Sequence, residues 1–299
     1  MSIRELIPQG FRDQIRSLVM GATRLARGTF SYARVGGFSF KIDLRDPFIS
    51  FNLLYFGTWE PNPTRLLKQI VRSGDRIVDV GAHIGYYTVI LGAASMPGGR
   101  ILAVEPDADN FLLLRDNVEA NLTPGVAELV NAAVGPIAGW TSLVRGEEWN
   151  TGDYRIAAAS CEEPFSTKEH DMPVVVPVTT VDDLTRAWDC VNLIKIDAQG
   201  CEPLIIRGMQ ATLASNPELI ILTEFWPKGI LAMGQSPSEY CRQLADLGFR
   251  LYNADDARLR SIGCDELRQF DDNMEWSINL LCVRPAAMRR LLSSGFPVQ

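Results

Sequence analysis

The chain has 299 residues, and 29 Lys and Arg against 36 Asp and Glu leave a net charge of −7. That length admits one large α/β domain or two small ones, while 46% apolar and 22% charged residues exclude a disordered chain or a low-complexity fibre. The acidic balance argues against a broad nucleic-acid-binding face, so no nucleic-acid partner is expected.

Residues 9 to 27 space Phe11, Ile15, Leu18, Val19, Ala22, Leu25 and Ala26 at i, i+3, i+4 intervals, which predicts an amphipathic helix. Its other side holds Arg12, Arg16, Arg24 and Arg27, and residues 1–34 carry six arginines against Glu5 and Asp13, a local charge of +4. Such a helix either packs on the main domain with its arginines solvated or makes a peripheral membrane or dimer contact. Pro8 and Gly10 interrupt any signal-like apolar run. Six cysteines, at 161, 190, 201, 241, 264 and 282, form no CxxC pair, and His83 and His170 are the only histidines. The expectation is a cytoplasmic protein with reduced, mostly buried thiols and no metal site of several histidines.

The alternation of Phe38, Phe40, Ile42 and Leu44 predicts a strand of a small hairpin. A helix follows from Pro63 or Thr64 and stops at Gly74-Asp75. Beyond Arg76, apolar strands at 77–80, 101–104, 128–131, 191–197, 219–223, 249–253 and 276–283 alternate with helices at 84–94, 108–121, 203–214 and 238–247. Residues 136–173 read as loop-rich. Repeated βαβ units with fully apolar strands mean a parallel sheet covered on both faces. The run Ile77–Met96 is apolar enough to suggest a membrane span, yet Asp79, His83 and three glycines divide it into strand, turn and helix. The expected organisation is an Arg-rich helical region, 1–36, and one α/β domain, 37–299, with an insertion at about 136–173.

Parallel sheets bind ligands at the carboxyl ends of their strands. The first βα turn reads Asp79-Val-Gly81-Ala-His83-Ile-Gly85-Tyr86-Tyr87-Thr88, with Gly81 and Gly85 permitting close backbone approach. His83 occupies the second glycine position of the dinucleotide fingerprint, which disfavours NAD. Asp79 suits a ligand ammonium. The second strand ends at Glu105-Pro106, where a carboxylate can accept hydrogen bonds from both hydroxyls of a ribose. Asn131, and the backbone from Ala132 onward, could meet an adenine edge. The fourth strand ends at Asp197, with Glu202 opening the next helix, and the fifth ends at Glu224. Neighbouring strands would bring Asp197 and Glu224 together for proton handling or for a cation.

These motifs, with Asn131-Ala-Ala-Val-Gly135, Thr179-Thr-Val-Asp-Asp-Leu184, Lys195-Ile-Asp-Ala-Gln-Gly-Cys-Glu202 and Trp59-Glu60-Pro61, resemble the FkbM family of class I S-adenosylmethionine-dependent methyltransferases across roughly residues 38 to 230. The resemblance implies a doubly wound, mostly parallel, seven-stranded Rossmann-like methyltransferase sheet with an antiparallel last strand. It implies S-adenosyl-L-methionine over the first βα turn, its methionine end near Asp79, Gly81 and Gly85 and its ribose on Glu105. On the matching motifs it extends cofactor contact to Glu60, His83, Tyr86, Tyr87, Thr88, Pro106, Asn131, Ala132 and Asp197. Family members often methylate hydroxyls of secondary metabolites, sugars or lipids, so O-methylation of a small-molecule hydroxyl is the expected activity. Asp197 ranks first as general base, ahead of Glu224 and His83. A divalent cation such as Mg²⁺, shared by Asp197, Glu202 and Glu224, is the alternative use of those carboxylates. The acceptor pocket is expected from residues 136–173, Phe225-Trp226-Pro227 and the N-terminal segment, with Trp149 and Trp226 as walls. Two other functions remain open at this stage: an NAD-dependent oxidoreductase, and a cofactor-binding scaffold without catalysis.

Overall fold

The computed structural model describes residues 9–145, 154–156, 173–267 and 277–298. The chain begins with helix α1 (Gln9–Arg27) and a hairpin, β1 (Phe30–Val35) and β2 (Phe38–Asp43), turned by Gly36 and Gly37. Both glycines have positive φ, as a tight two-residue hairpin turn requires. The expected boundary at residue 36 falls inside this turn. Two short helices follow, α2 (Ile49–Phe56) and α3 (Pro61–Ile70). The second starts earlier than its sequence predicts, because Glu60 adopts a left-handed turn (φ 42°) directly before Pro61.

The next units are β3 (Arg76–Val80), α4 (Tyr86–Ala94), β4 (Arg100–Val104), α5 (Ala108–Asn121) and β5 (Ala127–Val130). Asp107 caps α5 by accepting the Asn110 N–H at 2.8 Å. Asn117 and Asn121 of α5 bind the backbone of Lys41 and Ser39, docking the hairpin on the domain. Then come β6 (Ala133–Val134), β7 (Gly139–Arg145), β8 (Tyr154–Ile156), β9 (Val174–Thr179) and α6 (Val181–Thr185). The remainder is β10 (Leu193–Ile196), α7 (Glu202–Arg207), α8 (Gln210–Ser215), β11 (Ile220–Phe225), α9 (Pro227–Ala232), α10 (Pro237–Asp246), β12 (Arg250–Asn253), β13 (Arg260–Ser261), α11 (Cys264–Leu267), β14 (Ile278–Val283) and α12 (Met288–Ser293).

The main sheet has the order β13-β12-β14-β11-β10-β3-β4-β5. Six strands run parallel, and β14 is antiparallel to both β11 and β12. This is the expected seven-stranded, doubly wound α/β sheet, extended by the two-residue edge strand β13. Alternate residues feed opposite faces: Ile77 and Leu193 enter one core, Val78 and Ile194 the other. Each fully buried Ile or Leu contributes about 1.5–3 kcal/mol, and burial on both sides explains why these strands read as unbroken apolar runs. Strand order reverses between β3 and β10, which opens a crevice at their carboxyl ends.

Three local expectations are revised. The stretch after residue 136 is not all loop: β7 pairs with β9 and β8 in a second sheet, burying Leu143 against Ala133 and Val176. Residues 146–153 and 157–172, with Trp149, Cys161 and His170, lie outside the described residues, as does Trp276. The helix expected at 203–214 breaks at Gly208, where a Cβ would stand 2.2 Å from the Gly135 carbonyl oxygen. Finally, α1 packs through Met20 and Thr23, whereas Leu18 and Leu25 of its predicted apolar side face outward. Among the described residues no helix is long and apolar enough to cross a membrane.

Candidate active site

A cavity of about 580 Å³ opens at the carboxyl ends of β3, β4, β10 and β11, within the range usual for small-molecule sites. Its floor is the turn after β3. Gly81 (φ 74°) and Ala82 both donate their N–H groups to the Val104 carbonyl. A Cβ on Gly81 would lie 1.8 Å from the Asp197 carbonyl oxygen, so this glycine is demanded by the neighbouring strand end as well as by its backbone angle. His83 holds a left-handed conformation (φ 52°), uncommon for a residue with a side chain. Among the described residues its Nε2 is buried without a hydrogen-bond partner, and burial lowers its pKa against the pull of nearby Asp46. Gly85 does not line the cavity. It starts α4, and a Cβ there would meet Leu114 Cδ1 at 2.7 Å, so its smallness serves helix packing rather than ligand approach.

Glu105, 5% exposed, ends β4 and lines the cavity. One carboxyl oxygen accepts the His83 N–H at 2.8 Å, the other the Asp107 N–H at 3.0 Å. Burial nonetheless pushes its pKa up to about 8. Each oxygen keeps a second lone pair for a ligand donor. Pro106, Val104, Ala132 and Val134 form an apolar wall beside it. Asn131 is off this wall: its amide donates to the carbonyls of Glu105 and Pro106 and fixes the strand end from outside.

The opposite end of the cavity is charged. Lys195, 4% exposed, places Nζ 3.3 Å from Asp197 Oδ2, 3.9 Å from Asp79 Oδ1 and 5.0 Å over the Tyr87 ring. Burial alone would lower the pKa of this ammonium, but Asp197, Asp79 and Glu60 outweigh it and hold the pKa above the ordinary lysine value. Asp79 is fully buried behind the cavity, accepts the Thr88 hydroxyl at 2.7 Å and faces Lys195 across the β3–β10 register. The expectation that Asp79 and Thr88 meet the ligand is thus corrected: each turns inward to the other, and Asp79 is an internal counter-ion. Glu60 does line the cavity, its carboxylate accepting from the Tyr87 hydroxyl at 2.7 Å and the Asn279 amide at 2.8 Å. The Tyr86 hydroxyl accepts the Trp59 N–H, so both tyrosines brace the Trp59-Glu60 turn.

Asp197 and Glu224 end adjacent parallel strands and both line the cavity. Asp197 Oδ1 accepts the Gln199 amide at 3.2 Å. Among the described residues Glu224 Oε2 is buried with no hydrogen-bond partner; burial, then Asp197 and Glu202, raise its pKa well above the carboxylate norm. Glu202 does not line the cavity. Its Oε1 accepts the N–H groups of Ala198 and Gly200, and burial raises its pKa to about 7. Among the described residues no three His, Cys, Asp or Glu side chains are grouped to hold a metal ion.

Two charged lining residues, Lys195 and Asp46, were missed by sequence reasoning. Strand alternation could have found Lys195, which shares a strand face with Asp197 two residues on. Asp46 carries no such signal: it binds the N–H groups of Phe48 and Ser50 at the start of α2 and reaches the cavity only through tertiary packing.

Sequence comparison matches residues 79–251 to the Methyltransferase FkbM domain. The protein-L-isoaspartate O-methyltransferase of Aeropyrum pernix is 32% identical over 112 residues, which is 36% of this chain and 40% of that protein. The chain thus spans less than half the length of this relative. Among solved structures, the FkbM methyltransferase of Methylobacillus flagellatus is 13% identical with a TM-score of 0.43, covering 70% of this chain and 43% of that one. The O-methyltransferase of Bacillus cereus in complex with SAH is 13% identical with a TM-score of 0.44, covering 93% of each chain. The domain match takes in more than half of the sequence, from Asp79 in β3 to Leu251 in β12, and the chain belongs to the FkbM methyltransferase family.

Proposed function

We propose that this chain is an S-adenosylmethionine-dependent methyltransferase that alkylates a hydroxyl of a small molecule. The observation that carries the reading is the polarity of one cavity: an apolar wall beside Glu105 at one end, and Glu60, Asp197 and Glu224 around Lys195 at the other. The donor set suits the cofactor. Glu105 would accept from the ribose hydroxyls, Val104, Ala132 and Val134 would enclose the adenine, and Glu60 would face the ammonium in place of Asp79. When bound, S-adenosylmethionine supplies an electrophilic methyl group on a sulfonium, and nearby carboxylates favour that positive charge.

The chain's own residues then align the acceptor and move one proton. Asp197 takes the hydroxyl proton at Oδ1, whose partner is the neutral Gln199 amide, while Lys195 fixes Oδ2. Glu224, driven toward its neutral form by burial, presents Oε2, which has no partner among the described residues, to orient the acceptor oxygen. A positioned base contributes roughly 10²–10⁴-fold, and alignment of the two reactants contributes the larger part. Secondary metabolites, sugars and lipids all offer such hydroxyls.

The test has two stages. Thermal-shift titration should show stabilisation by S-adenosylhomocysteine and none by NADH; about 2.7 kcal/mol is expected at a hundredfold excess over Kd. Incubation with methyl-labelled S-adenosylmethionine and a producer extract should then yield a labelled ether in one small molecule. Stabilisation by NADH alone would refute the cofactor assignment, and cofactor binding with no labelled product in any extract would favour a non-catalytic scaffold.

A further inference from the structure

Helix α1 is amphipathic, but it is held to the domain by the wrong side for a simple packing element. Met20 is 2% exposed in the core, the Thr23 hydroxyl meets the Tyr55 hydroxyl at 2.7 Å, and the Arg16 guanidinium lies 5.8 Å over the Phe51 ring. On the far side Ile15, Leu18 and Leu25 are 42%, 73% and 90% exposed. With Ala22 they recur at intervals of three and four residues, one continuous apolar stripe. Tyr55 and Phe56 at the end of α2, and Phe30 and Tyr32 on β1, add further exposed aromatic surface on the elements that α1 packs against. An exposed apolar stripe of this kind marks a contact surface.

Charge selects what covers it. Residues 1–34 carry +4 in a chain of net −7, which leaves −11 for the rest. Arg24 and Arg27 stand exposed in the last turn of α1, and its sole acidic residue, Asp13, is engaged with Arg16. A second copy would set one basic patch against another, whereas an anionic surface complements it. An apolar stripe with arginines on the polar side is the composition of a helix lying in a bilayer interface.

We propose that α1 docks this protein on an anionic lipid surface, its Ile15–Leu18–Leu25 stripe entering the headgroup–acyl boundary and Arg24 and Arg27 meeting lipid phosphates. Phe48 and Ile49, where α2 begins, line the cavity, and α2 is eight residues, about 12 Å, long. Docking through α1 and the end of α2 therefore holds the mouth of the site near the membrane.

The full chain should co-sediment with vesicles of phosphatidylcholine containing phosphatidylglycerol, and less with phosphatidylcholine alone. High salt should weaken binding, since attraction of basic side chains to anionic lipid is screened. Leu18→Glu/Leu25→Glu, at positions already exposed, should lose binding by at least about tenfold with an unchanged melting temperature. Arg24→Glu/Arg27→Glu should abolish the preference for anionic vesicles. Three results would overturn the proposal: no co-sedimentation of the wild type, binding that survives the double leucine substitution, or a dimer in light scattering that the leucine substitution dissociates while vesicles are ignored.

Discussion

Replacement of Glu105 by Gln tests the cofactor end of the site. Gln keeps one carbonyl acceptor, but its amide must turn toward either the His83 or the Asp107 N–H, so one of the two backbone bonds at 2.8 and 3.0 Å is lost. Towards a ribose diol it also loses the charge that strengthens both hydrogen bonds. Bonds to a charged group contribute about 1.5–3 kcal/mol, which predicts a Kd for S-adenosylhomocysteine weaker by roughly 10- to 150-fold. The pH dependence sharpens this. Hydroxyl donors favour the ionised carboxylate, so the bound state has a lower pKa than the free value of about 8. Wild-type affinity should then rise as pH climbs toward about 8, by up to tenfold per pH unit, and level off above it, with a proton released on binding. In the Gln variant that slope should vanish. The unliganded protein behaves in the opposite sense. Because the folded-state pKa is raised from 4.5 to about 8, this group's contribution to stability is fully present below about pH 4.5 and is lost as pH rises to about 8. Calorimetric titration across this range, in buffers of different ionisation enthalpy, reads affinity and proton release together. A Gln variant with wild-type affinity and an unchanged slope would show that Glu105 does not hold the ribose.

The remaining predictions probe the turn, the base and the buried cation. Gly81→Ala, with φ at 74° and a Cβ 1.8 Å from the Asp197 carbonyl oxygen, should cost at least about 2 kcal/mol in thermal melts and weaken cofactor binding in the molecules that fold. Gly85→Ala displaces the Leu114 side chain instead, so it should lower the melting temperature while leaving calorimetric affinity near wild type. Asp197→Asn should reduce turnover on the true acceptor by roughly 10²–10⁴-fold with little change in S-adenosylhomocysteine affinity; unchanged turnover would remove Asp197 from the chemistry. Lys195→Met leaves buried Asp79 without its counter-ion and should cost about 3–5 kcal/mol near neutral pH. Melts of that variant should recover on acidification, as protonation discharges Asp79.

The parts of this protein legible in sequence are those that one strand and one turn encode by themselves. Gly81 and His83 follow β3, Glu105 ends β4, and Asp197 and Glu224 end the adjacent strands β10 and β11, so their positions at the carboxyl edge come directly from the βα pattern. What sequence alone misassigned depends on register between strands distant in the chain. Asp79 reads as a ligand-facing acid until β10, more than a hundred residues later, sets Lys195 beside it. Gly85 reads as a ligand-approach glycine until α5 brings Leu114 against it. The face of α1 is illegible for a similar reason: a 3.6-residue period reveals that an apolar stripe exists, not which surface covers it.

The ionisation of the site adds one more step. Asp46, Glu60, Glu105, Asp197 and Glu224 all line a cavity whose nearest ammonium, Lys195, is already shared between Asp197 and Asp79. Burial raises the pKa of Asp46, Glu60, Glu105 and Glu224, which shifts those four groups toward their protonated forms. A cationic sulfonium ligand reverses that preference, because a positive charge nearby stabilises each ionised form. Binding and proton release are then one linked event. Its reach differs across the site: Glu105 is set by the two amides that already bind it, whereas Glu224 Oε2 has no partner among the described residues. In the proposed reading, that difference divides the work along the cavity, with a preset end for the cofactor and an adaptable end for the acceptor.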